Sequence, residues 1–165
     1  MRIIGIDASL RCTGYGVIES AAGRLRAVDF GIIHHPASRP HSACLRAIHE
    51  KLAEVLREAP ADAAAMEGGF FFKNAKTAMV LGEARGVVIA TCAVAGVPVF
   101  EYSPRAVKQS LTGFGAAGKD QVSKMVMSIL GLKESPPEDA ADALAMALCH
   151  LHSQTTIESL RPRPI

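Results

Sequence analysis

Short, almost wholly apolar runs alternate along this chain with stripes of helical spacing. Ile3–Ala8 is one such run, the pattern of a strand covered on both faces. Cys12–Glu19 reads as a second strand. Arg24–His34 reads as a third, entered through the hairpin signal Ala22-Gly23. Leu45, Ile48, Leu52, Val55 and Leu56 then fall on one helical face, so the spacing predicts an amphipathic helix over Ser42–Glu58, ended by Pro60. Asp62–Glu67 is a short strand broken by Gly68-Gly69, and Phe70–Asn74 is a loop or helix entry. A long helix follows over Ala75–Ala95, with Gly96 as its stop, and then a strand over Val97–Tyr102. Ser103-Pro104 opens a helix with a capping serine and a proline in the first turn. Thr112–Gly118 is a glycine-rich connection. Val122, Met125, Val126, Ile129 and Leu130 make the next stripe, closed by Gly131. Ser135-Pro136-Pro137 opens a last helix running to about His152. Early strands followed by alternating helices and strands predict an α/β fold with a mixed sheet. One domain is expected over residues 1–152, with a disordered basic tail over 153–165.

Composition narrows the class. The 165 residues fit one domain, and 49% hydrophobic with 21% charged describes an ordinary globular protein with a sizeable core. No apolar run is expected to reach the ~20 residues of a membrane helix. No secretory signal is expected, because the chain enters a strand pattern at once. Cys12, Cys44, Cys92 and Cys149 form no CxxC pair, which argues against a zinc site or disulfide framework. All four are expected to be small buried hydrophobes in a reducing cytoplasm. A net charge of +2 does not by itself mark a nucleic-acid binder; any positive surface has to come from clustering.

Four acids carry the candidate chemistry. Asp7 and Glu67 each end an apolar strand, and Asp139 and Asp142 open the alanine-rich last helix. An ionised carboxylate is costly to bury unpaired, so several segments taking that cost point to a shared cation. Hard ions such as Mg²⁺ are held by carboxylate oxygens. Strand ends of an open α/β sheet are where sites form. Asp139 and Asp142 share a helical face, but spacing also allows Glu138 with Asp142. The plain alternative is that first-turn acids answer the helix dipole. The six histidines make no HxH or HExxH set, and His150 and His152 are expected to be structural or surface.

Gly5-Ile6-Asp7 followed by Thr13-Gly14-Tyr15-Gly16-Val17-Ile18 resembles the first motif of the RuvC Holliday-junction resolvases. The resemblance continues through Glu67, Phe70, Asn74, Ala84-Arg85-Gly86-Val87, Val107-Lys108-Gln109 and Gly115–Lys119, and ends in Asp139–Ala145. It spans roughly residues 1–152. It implies an RNase H-like fold with a mixed five-stranded sheet flanked by helices, a homodimer, and Mg²⁺-dependent cleavage of four-way DNA junctions. Two ions per site are implied, with Mn²⁺ able to substitute. The family's catalytic and metal-holding carboxylates map onto Asp7, Glu67, Asp139 and Asp142, which selects Asp139 over Glu138. The reaction implied is paired nicking of opposed strands, leaving 5′-phosphate and 3′-hydroxyl ends, beside branch-migration motors of the RuvA and RuvB type. Phe70 matches a base-stacking position, although an aromatic run is also a core signal. Lys108 and Lys119 match basic positions near the site, and Lys73, Lys76 and Arg85 are expected around the phosphates. Ala8-Ser9 stands where relatives carry Pro-Gly, and Gly68-Gly69 where they carry larger side chains.

Two other classes compete. Gly5–Ser9 with Thr13–Gly16 also resembles the phosphate loop of actin-like ATPases and sugar kinases, but no second such motif follows. A non-catalytic reader of branched DNA would lack one of the acids, and none is missing.

Overall fold

The computed structural model of the chain describes residues 1–68, 74–154 and 162–165. Strands β1 (Arg2–Asp7), β2 (Cys12–Ala21), β3 (Arg24–His34), β4 (Ala63–Glu67) and β5 (Val99–Tyr102) form one sheet in the order β3-β2-β1-β4-β5. β1, β2 and β3 are an antiparallel meander, while β4 and β5 run parallel to β1. The β2–β3 hairpin turns on Ala22 and Gly23, with φ of 50° and 73°. Two successive positive φ values match the right-handed twist of the flanking strands. At the outer edge of the sheet, Ile165 N–H donates to Val99 O at 3.0 Å.

Side chains alternate across a strand, so β1 serves two cores. Ile4 and Ile6 face α1 (His41–Glu58) and α2 (Ala75–Val94), packing with Ile48, Leu52, Val88 and Cys92. Ile3 faces α3 (Pro104–Thr112), α4 (Lys119–Leu130) and α5 (Glu138–His152), packing with Val107, Val126, Leu144 and Leu148. The result is helix, sheet and helix in three layers, the α/β mixed sheet expected.

The helix starts follow local chemistry. Asn74 Oδ1 accepts from Lys76 N and Thr77 N at the head of α2, and Ser103 Oγ accepts from Ala106 N at the head of α3. Gly113 and Gly131 end α3 and α4 with positive φ.

One expectation is corrected. α2 is long and apolar enough to cross a membrane by length and composition, with mean hydropathy 1.5. In the fold, Ala84, Val88, Thr91 and Cys92 are buried against neighbouring elements, and Arg85 is ion-paired with Glu101.

Candidate active site

β1 and β4 are neighbours in register, Ile6 beside Met66, so Asp7 and Glu67 leave the sheet side by side. α5 brings the other acids by lying almost backbone to backbone on the sheet. A Cβ on Gly5 would meet Ala143 O at 1.8 Å, and one on Gly14 would meet Asp139 O at 2.0 Å. Gly14 is also the register partner of Asp7. Two strand glycines therefore allow the first turns of α5 to reach the end of β1. Asp7, Glu67 and Asp142 line a cavity of about 310 Å³ with Lys108, Lys119, Pro104 and Val122.

The field there is strongly negative. Burial, then the neighbouring Asp142, Asp139 and Glu67, push the Asp7 carboxyl up to about 7. Burial and Asp142 raise Glu67. Burial also raises Asp142, opposed chiefly by Lys119. Lys119 is largely exposed, bonds Glu138 Oε1 at 2.5 Å and lies 3.6 Å from Asp142 Oδ2. Lys119 and Arg85 only partly offset several desolvated carboxylates, and the excess negative charge is one that a hard cation fits. Among the described residues, no three acid, histidine or cysteine side chains meet as a finished metal cage. Mg²⁺ needs only one or two protein carboxylates and keeps several waters, so an open acidic cleft suits it.

The other candidates fall in different places. Asp139 Oδ2 accepts from the Cys12 thiol at 2.7 Å, and its charge bears on both Asp7 and Asp142. This corrects the expectation for Cys12: it is only half-buried and stands at the acid cluster, whereas Cys44, Cys92 and Cys149 are buried. The available signal was its place on β2, two residues from Gly14 and so on the same sheet face. Arg85 donates to Glu67 O and pairs with Glu101 Oε1. Lys76 lines a separate cleft with Ser9, Arg11 and Thr77. Phe70 and Lys73 lie outside the described residues. His150 is buried, its Nδ1 2.7 Å from Tyr102 Oη and its pKa lowered to about 4 by burial, a structural group as expected.

A mixed sheet of this order, layered by helices, carries carboxylates from separate segments where its central strands end. The family model for the crossover junction endodeoxyribonuclease RuvC matches residues 3–150. The protein of that name from Syntrophomonas wolfei is 48% identical over 93% of this chain and 90% of its own length. Its counterpart from Caldicellulosiruptor saccharolyticus is 45% identical over 95% and 96%. The structure of Thermus thermophilus RuvC in complex with Holliday junction substrate superposes with a TM-score of 0.88, at 33% identity and full coverage of both chains. The chain belongs to the RuvC family.

Proposed function

We propose that this chain is a divalent-cation-dependent endonuclease that resolves four-way DNA junctions by paired nicks on opposed strands. The observation that carries this is the convergence of Asp7, Glu67 and Asp142, from three separate segments, on one cavity bordered by Lys108 and Lys119. Asp7, Glu67, Asp139 and Asp142 are the residues to hold two Mg²⁺ ions, with Mn²⁺ able to substitute. Bound there, the cations would lower the pKa of a coordinated water and compensate charge at the leaving 3′ oxygen. The residues of the chain do the rest. The ends of β1 and β4 carry Asp7 and Glu67, and the first two turns of α5 carry Asp139 and Asp142. Lys108 and Lys119 draw the scissile phosphate toward the acids, a sequence-independent attraction. Lys76 and Lys73 extend that attraction along the strand, and Phe70 stacks on a base exposed at the crossover.

A junction has near two-fold symmetry, and two opposed nicks call for two identical sites. α2 offers the surface for a C2 dimer. Met79, Gly82, Gly86, Ala90 and Ala93 follow one helical face, all exposed, and Met79 keeps 69% of its surface. Four free cysteines fit a reducing cytoplasm, where branch-migration motors of the RuvA and RuvB type would deliver the junction.

The test is cleavage of a synthetic four-way junction against linear duplex of the same sequence. Symmetrical nicks in Mg²⁺ or Mn²⁺, no nicks in EDTA and no nicks with Glu67→Gln are expected. Equal cleavage of both substrates, or full activity in EDTA, would refute the assignment.

A further inference from the structure

We infer that Arg85 and Glu101 form a positioning pair that fixes the end of β4, and with it the Glu67 carboxylate. This rests on the proposed role of Glu67 as a cation ligand. Glu67 is the last residue of β4, and β1 ends beside it. On the β5 side the chain is held by Gly68 N–H, which donates to Tyr102 O at 2.9 Å. The carbonyl of Glu67 is taken by a side chain instead: the Arg85 guanidinium reaches in from α2 and donates to it. Its other terminal nitrogen pairs with Glu101 on β5. Arg85 and Glu101 keep only 15% and 30% of their side-chain surface. The second carboxylate oxygen of Glu101 lies beside Gly68, 3.8 Å from where a Cβ would sit. The fork of one arginine thus ties three elements, α2, β4 and β5, at the point where Glu67 projects. A planar guanidinium with fixed donors suits this, and an ammonium does not.

Neither residue lines the acid cavity. Arg85 therefore acts through Glu67. Groups that orient a metal-binding carboxylate cost about 10- to 100-fold in metal affinity or activity when changed.

The experiment compares Arg85→Gln, Arg85→Lys and Glu101→Gln, with Glu67→Gln as reference. Three quantities are read: the Mn²⁺ concentration that gives half of the Mn²⁺-induced Tm shift without DNA, junction affinity in EDTA, and single-turnover cleavage against Mn²⁺. Arg85→Gln is expected to raise the Mn²⁺ requirement about 10- to 100-fold and to leave junction affinity at the wild-type level. Arg85→Lys should recover part of the loss, and Glu101→Gln should fall between. If Arg85→Gln weakens junction binding while the Mn²⁺ requirement stays put, Arg85 is a phosphate contact and the inference is overturned. A lowered Tm with an unchanged Mn²⁺ requirement overturns it equally, because the pair is then only structural. Normal cleavage by Glu67→Gln would instead remove the role of Glu67. The Mn²⁺-dependent Tm shift needs no cleavage and reads the pair separately.

Discussion

α5 and α2 are both alanine-rich and apolar, yet the fold uses them in opposite ways. Ten of the fifteen residues of α5 are buried, against four of the twenty in α2. The difference lies in what each helix meets. α5 rests on Gly5, Gly14 and Gly16, where no Cβ keeps it off the sheet. α2 flanks α1 and leaves its small-residue face outside. Close approach brings Asp139 and Asp142 to the end of β1, while the small-residue face of α2 stays exposed. Helical apolarity alone does not tell a central helix from a peripheral one; the glycines of the strands beneath do.

Breaking the α5 side at its chemistry has the largest expected effect. Asp142→Asn, Asp139→Asn, Glu67→Gln and Asp7→Asn should each lower single-turnover cleavage by at least about a thousandfold, roughly 4 kcal/mol of charge stabilisation. Junction binding should survive. Asp7→Asn also makes a pH prediction. The Asp7 carboxyl stands near 7 in the fold, far above its usual range. The native state therefore binds the extra proton, and stability contributed at this site falls as pH rises from about 4 to about 7. Without metal, Asp7→Asn should match wild type near pH 4 and melt a few degrees higher at pH 8. Equal melting at both pH values would show that Asp7 is not held protonated. At subsaturating Mg²⁺, wild-type cleavage should rise with pH through the same window.

Next in size is the contact that seats α5. Gly5→Ala places a methyl 1.8 Å from Ala143 O. Such overpacking should cost about 3 kcal/mol and lower Tm by roughly 6–12 °C. Gly14→Ala should do the same and push Asp139 from the site. Melting curves with cleavage at a permissive temperature separate the two losses.

Smaller effects are expected on α2. Met79→Glu should turn a dimer into a 17.4 kDa monomer by light scattering, with little change in junction-free secondary structure. An unchanged dimer would place the interface elsewhere. Asn74→Ala removes the cap of α2 and should cost about 1 kcal/mol, seen as a Tm lower by roughly 2–4 °C.

The sequence by itself determined the elements and the chemistry at their ends. Strand periodicity placed Asp7 and Glu67 at the exits of two strands. Helical spacing put Asp139 and Asp142 on one face, and Ser103, Gly113 and Gly131 marked helix boundaries, because backbone geometry is local. Its motif order carried the family. The tertiary structure alone decided which groups meet across the chain. It set the Cys12 thiol on Asp139, 127 residues away, and committed Arg85 to Glu67 and Glu101. It also put α5, not α2, at the centre of the sheet. Those outcomes depend on strand order and on how closely a helix can approach, and both are set by packing between segments that no local pattern encodes.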